Sequence, residues 1–241
     1  MDDKDRRALV IETNDRSRAG TIHTLSMQGF DVDWADSGHR GVEMAGDIDP
    51  DLITIAVDLP DLDGIEVCRR IRESSDAYIV LISTHEDELE RLMGLEIGAD
   101  DFLNEPFNPR ELQVRVSAMF RRPRKGPASR AEVTFSPRIS RSFRHGTLKL
   151  DVNSRIVTVL GTEARLTKTE FDLLAMLLSN PTRVWSREVL MAAVWGGGWV
   201  KDTHVVEVHV GNLRRKLNRL DPDTEFIHTV RGVGYRMDSQ G

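Results

Sequence analysis

A doubly wound α/β domain on a five-stranded parallel sheet, followed by a smaller α+β domain, is the fold predicted by this sequence of 241 residues. Three observations carry that prediction. In the first half, short apolar runs alternate five times with helix-period segments, as in a parallel sheet covered on both faces. In the second half, alternating strands give way to three amphipathic helices and a last pair of short strands around glycines. Charge divides along the same line: residues 1–120 carry 12 Lys and Arg against 27 Asp and Glu, whereas residues 121–241 carry 21 against 12. The length is ample for two domains with cores of their own.

The single cysteine, Cys68, excludes a disulfide framework, and no Cys/His cluster offers a structural zinc site. Within its helix it sits beside Val67 and Ile71 and is expected in the core rather than in redox chemistry. The start, MDDKDRRALV, is charged rather than basic and then apolar, and no apolar run reaches the roughly 20 residues that span a bilayer. A reducing, cytoplasmic setting is therefore expected, with no membrane partner. The overall charge of −6 hides a basic half, and a local basic surface is what an anionic polymer requires.

In order, ALVI (residues 8–11) reads as a buried strand and residues 17–28 as a helix ending before Gly29. FDVDWA is a second strand and HRGVEMAG a helix; DLITIAV is a third strand, leading into a Pro/Asp/Gly loop. GIEVCRRIRES, AYIVLIS, EDELERLMGLEIG, DFLN and PRELQVRVSAMFRR complete the alternation as helix, strand, helix, short strand and helix. In such sheets functional groups collect in the loops at the carboxyl ends of the strands. Residues 121–145 then hold three prolines and eight Lys and Arg against one acid, with no apolar period, and read as a solvated basic linker. The domains are accordingly placed at 1–122 and 143–241, with a flexible linker at 123–142.

GTLKLDVNSRIVTVLGTEARL alternates like a small antiparallel sheet turning at Asn153 and Gly161. Thr167 and Glu170 have capping-box spacing before FDLLAMLLSN, and Pro181 stops that helix. Ser186 caps REVLMAAVW; the loop GGGWVKD leads to a third helix, THVVEVHVGNLRRKLNRL; and EFIHTVRGVGYRM reads as a hairpin. Three helices and a terminal hairpin make a winged helix-turn-helix. In the third helix Val205, Val208, Leu213 and Leu217 are expected to face the core, leaving His204, His209, Asn212, Arg214, Arg215 and Lys216 outward. That is the donor-rich face a major-groove helix needs, with Asn212 the best candidate for pairing with adenine.

The capping-box helix, VVEVHVGNLRRKL and the ending TVRGVGYR resemble the DNA-binding domain of the OmpR/PhoB response regulators over residues 143–238. The resemblance implies base or phosphate contacts from His209, Asn212, Arg214 and Arg215, beside the outward His204, a backbone contact near Trp195, and a wing entering the minor groove through Thr229 and Arg231. It also implies double-stranded promoter DNA as partner, bound at direct repeats by a homodimer, with RNA polymerase and a sensor kinase as further candidates. Where Gly211 and Asn212 stand, other members carry arginine, so the operator is not transferable.

The resemblance extends over residues 7–122, because PDLITIAVDLPDLDGIEVCRRIR and GLEIGADDFLNEPFNPRELQVRV resemble receiver-domain segments. A receiver of the ordinary kind needs an aspartate nucleophile, acids that hold Mg²⁺, a lysine for the phosphoryl oxygens and a hydroxyl. Alignment on Pro50-Asp51 and Leu59-Pro60 puts Ala56 at the phosphoacceptor position, so none is expected. Glu12 persists in the acidic pair while Thr13 replaces its partner, Glu105 stands for the lysine, Ser83 keeps the hydroxyl position, and Asp58 lies near the mouth. A degenerate pocket is expected, with no catalytic residue, metal or cofactor. The family's pairing face would carry Arg91, Asp100, Asp101, Glu111 and Arg115, whose charges a partner subunit can satisfy. The expectation is an atypical, phosphorylation-independent transcription regulator that dimerises through its receiver and is not an enzyme; the alternative is a protein-interaction adaptor anchored to DNA.

Overall fold

The structure is a computed structural model and describes residues 6–120, 142–196 and 203–238. The chain divides into two compact units, one holding a parallel sheet and the other two antiparallel sheets with three helices. The linker expected at 123–142 lies outside the described residues except for Ser142, which already belongs to a strand, and most of the GGGWVKD loop lies outside them too.

The first unit runs β1 (Arg6–Ile11), α1 (Asp15–Ser26), β2 (Phe30–Ala35), α2 (Gly38–Ile48), β3 (Leu52–Ala56), α3 (Gly64–Arg72), β4 (Tyr78–Ser83), α4 (Glu88–Ile97), β5 (Asp101–Asn104) and α5 (Pro109–Met119). All strand pairs are parallel and the order is β2-β1-β3-β4-β5. Every residue of β3 and β4 is buried, which is why these strands read as unbroken apolar runs rather than alternations. Helix starts are set by side-chain caps: the Asn14 carboxamide oxygen accepts from Arg16 N and Ser17 N, Asp63 from Ile65 N, and Asp87 from Leu89 N. The Asn14 cap begins α1 two residues earlier than apolar spacing alone predicts.

Gly64 is required by close approach: a Cβ there would lie 2.2 Å from the Ala56 carbonyl oxygen, so the loop after β3 can return to the sheet only over a hydrogen. At the opposite end, Arg72 closes α3. Its guanidinium, 9 % exposed, donates to the carbonyls of Gly98 and Ala77 and pairs with Asp100, whose side chain is fully buried and also accepts from Ile79 N at 2.8 Å. Cys68 is fully buried, and burial pushes its thiol up to about 12, so it is a core residue with no accessible thiolate.

The second unit opens with an antiparallel sheet of β6 (Ser142–His145), β7 (Leu148–Asp151), β8 (Ile156–Val159) and β9 (Thr162–Glu163). Leu148, Leu150, Val157 and Val159 turn inward, as strand alternation predicts. Then follow α6 (Lys168–Leu178), β10 (Trp185–Ser186), α7 (Arg187–Val194), α8 (His204–Leu220), β11 (Ile227–Val230) and β12 (Gly234–Met237). β11 and β12 form the expected hairpin. The two-residue β10 pairs with β12, and its carbonyl at Trp185 lies where a Cβ on Gly234 would be, 1.9 Å away.

The apolar stripe of α8 differs from the sequence expectation. Val206, Val210, Leu213 and Leu217 are fully buried along with Val205, whereas Val208 is only partly covered. The spacing of four, three and four residues from Val206 follows the helical period more closely than a stripe through Val208. Lys216 donates to Glu170 Oε2 at 2.6 Å, and Arg155 donates to Asp172 at 2.9 Å while lying over the Phe171 ring; these contacts seat α6 against α8 and the β7–β8 turn.

Replacing Arg72 by alanine would leave the Asp100 carboxylate buried without its cation. The expected loss is about 3–5 kcal/mol of unfolding free energy, read by urea denaturation; a loss below about 1 kcal/mol, the size of an exposed pair, would contradict the geometry.

Candidate functional site

Two sites emerge, one in each unit. In the first, strand order fixes the position: β1 and β3 are neighbours whose connections leave in opposite directions, which opens a crevice beyond their carboxyl ends. A cavity of about 290 Å³ lies there, lined by Glu12, Thr13, Asn14, Ala56, Asp58, Ile82, Thr84 and Glu105. Five of the six pocket residues singled out from the sequence therefore meet in space.

Ser83 does not join them. Its hydroxyl is buried and donates to Glu90 Oε2 on α4 at 2.5 Å while accepting from His85 N. Thr84, the next residue, lines the cavity instead and donates to Asp58 Oδ2 at 2.8 Å. Successive side chains at the end of a strand point to opposite sides, so of the two adjacent hydroxyls only one faces the cavity. Thr84, Asn14 and Ser17 were missed from the sequence; for Thr84 the one signal was a hydroxyl beside an expected hydroxyl, and for the other two there was none.

The acids are partnered by protein donors. Glu12 accepts from Asn14 N at 2.7 Å, the Ser17 hydroxyl donates to Glu105, and the His85 ring lies 3.5 Å from Asp58. Thr13 turns to the Asp36 carbonyl. Arg18 is near, but its guanidinium pairs with Asp15, donates to the carbonyls of Glu12 and Thr13 and lies over the Trp34 ring at 4.1 Å, so its charge is already partnered outside the cavity. Burial raises the Glu12 carboxyl above its ordinary range, and the charge of Glu105 raises it further, against the pull of the Asn14 amide. Among the described residues no group of three His, Cys, Asp or Glu is placed to hold a metal ion.

On the face of α4, β5 and α5, Arg91 pairs with Glu88 at 3.0 Å, and Arg115 with Asp101 at 2.9 Å and Glu111 at 2.5 Å. Asp100 is not on that face: it points inward to Arg72, because adjacent residues entering β5 alternate. Leu89 and Met93 on α4 and Val114 on α5 are exposed apolar residues there.

In the second unit the hairpin tip, residues 231–233, is exposed, with Gly232 in the left-handed region at φ 72°. Thr229 and Arg231 are both exposed. Arg214 donates to the Ile227 carbonyl at 2.9 Å and to the Thr229 hydroxyl at 2.7 Å, so it binds α8 to the hairpin. His204 and Arg215 are exposed on α8. Val205, His209 and Asn212 follow one another on α8 at spacing four and three, and Asn212 Oδ1 accepts from Arg215 Nη1 at 3.0 Å. The Trp195 indole is buried, at the end of α7, which confines any contact with a phosphate there to the backbone.

Comparison with known proteins agrees with both halves. Residues 8–117 match the response regulator receiver domain, and residues 161–237 match the C-terminal domain of transcriptional regulatory proteins. The chain is a response regulator of the OmpR/PhoB type. The response regulator MprA of Mycolicibacterium vanbaalenii is 38 % identical over 232 residues, covering 95 % of this chain and 96 % of that one. MprA of Mycobacterium bovis is 39 % identical over 230 residues with the same coverage. A solved structure of a RitR mutant aligns with TM-score 0.74 at 27 % identity over 97 % of this response regulator and 99 % of that chain. Among the described residues no helix is long and apolar enough to cross a membrane.

The raised Glu12 carboxyl has a signed consequence. A group whose folded-state pKa lies above its unfolded value favours the fold in its protonated form, and that contribution is lost as pH rises through the folded pKa. Glu12→Gln is therefore expected to raise the melting temperature at pH 7 and to lose that advantage near pH 4, where the wild-type carboxyl is itself protonated. Thermal denaturation of both proteins across that range checks it; an equal difference at both ends would contradict the assignment.

Proposed function

We propose that this response regulator binds promoter DNA as a homodimer and that its receiver is set without aspartate phosphorylation. The observation that carries the second part is the methyl group of Ala56 at the end of β3, on the wall of a cavity that also presents Glu12, Asp58 and Glu105. A methyl group offers no nucleophile. With no cation among the lining residues, an incoming phosphoryl group meets carboxylates of its own sign. Asp58 is exposed, yet Thr84 and His85 face it where phosphoryl transfer needs a metal and a lysine. The protein acts by binding rather than by catalysis.

Pairing is proposed through the face of α4, β5 and α5, where the exposed Leu89, Met93 and Val114 supply apolar area, the exposed carboxylates of Glu88 and Glu111 beside Arg91 and Arg115 supply ion pairs that a partner can exchange, and the buried Asp101 holds Arg115 in place. DNA contact is assigned to the exposed His204 and Arg215 on α8 and to Thr229 and Arg231 on the wing, with direct repeats as the site and RNA polymerase as the partner of the bound dimer. His209 and Asn212 on the same helix are proposed as base readers.

Acetyl phosphate with Mg²⁺ is expected to leave the intact mass unchanged, and sedimentation of the same untreated sample at micromolar concentration is expected to show a dimer. A stoichiometric phosphate adduct, or a monomer that pairs only after treatment, would defeat this reading. On DNA, Arg231→Ala is expected to reduce the slope of log K against log salt by about 1 without changing the preferred site. Titrating labelled promoter fragments at several salt concentrations measures it.

A further inference from the structure

Three side-chain bonds converge on the short loop between β4 and α4. From the β3–α3 loop, Asp58 Oδ2 accepts from the Thr84 hydroxyl at 2.8 Å. From α4, Glu90 Oε2 accepts from the buried Ser83 hydroxyl at 2.5 Å, and Ser83 in turn accepts from His85 N at 3.0 Å. From β5, the Asn104 carboxamide donates to the His85 carbonyl. The acceptor side is itself fixed, because Asp61 on the β3–α3 loop accepts from Gly38 N at 2.8 Å and His39 N at 2.9 Å at the start of α2.

In a phosphorylating receiver, an anion at the end of the third strand and a hydroxyl at the end of the fourth are the two groups that a phosphoryl transfer brings together. Here the sequence supplies an anion and a hydroxyl without the transfer, each displaced along the chain: the carboxylate is two residues beyond Ala56 and the hydroxyl one residue beyond Ser83. We propose that the Asp58–Thr84 bond is a permanent, phosphate-free tether that holds the β4–α4 loop and the first turn of α4, and with them the pairing face, in a single arrangement. The Ser83–Glu90 bond serves the same end from the other side, since the hydroxyl that would follow a phosphoryl group is already committed to α4. This inference rests on the phosphate-independent reading and gives it a physical means.

Amide hydrogen exchange by mass spectrometry on the full-length chain tests it through a double-mutant cycle. Thr84→Val and Asp58→Ala should each speed exchange across residues 84–93 about fivefold, the effect of one ordinary hydrogen bond. The double variant should match either single one, because both remove the same bond. Thr84→Ser, which restores the hydroxyl, should exchange like the wild type, and β1 and β3 should keep their protection throughout. Unchanged exchange in Thr84→Val, effects that multiply in the double variant, or loss of protection spreading into β1 and β3 would each overturn the tether. A phosphate adduct on the wild-type protein would instead defeat the phosphate-free reading while leaving the cycle to report on the bond itself.

Discussion

The neighbouring of β1 and β3 in a parallel sheet is the constraint on which the receiver's chemistry depends. Crossovers in such sheets are right-handed, so a connection leading from β1 outward to β2 and one leading from β3 to β4 must cover opposite faces. The loops after those strands then have no helix between them, and whatever side chains they carry share one crevice. Glu12, Ala56, Asp58 and Glu105 meet because of this topology, and the same topology would assemble a phosphorylation centre from other residues at the same positions. The scaffold fixes where; the side chains decide what.

Much of this was legible in the sequence. β3 and β4 are buried on both faces and so appear as apolar runs, and a proline-bounded loop after β3 placed Ala56 at the strand end. What failed to show was direction. Ser83 and Thr84 are adjacent hydroxyl residues, and only the turn of the backbone at the end of β4 decides which of them faces the crevice. Asp100 and Asp101 pose the same ambiguity: one is drawn to Arg72 under α3 and the other to Arg115 on α5. β10 was invisible because two residues have no period, and its existence depends on Gly234, which lies far along the chain beyond α8.

In the second domain the sequence could count cations but not assign them. The run from Arg214 to Lys216 read as one outward basic face. In the folded chain it is divided, with Arg214 holding the hairpin, Arg215 exposed beside Asn212, and Lys216 satisfying Glu170 on α6. An interior carboxylate such as Glu170, 1 % exposed, would be costly alone, so the lysine belongs to the architecture of the domain before it belongs to any duplex. Helical period separates faces, but it does not reveal which long side chains are called back by a neighbouring element.

Arg214 has a wider meaning. By clasping both the backbone of β11 and the hydroxyl of Thr229, it makes α8 and the hairpin one rigid caliper rather than two independent probes. The separation between what the helix can touch and what the loop tip can touch is then a constant of the protein. In the proposed mode of DNA binding, a duplex would be selected partly by whether its two adjoining grooves lie that far apart, and a sequence that narrows or widens one groove would be accepted or refused by both jaws at once.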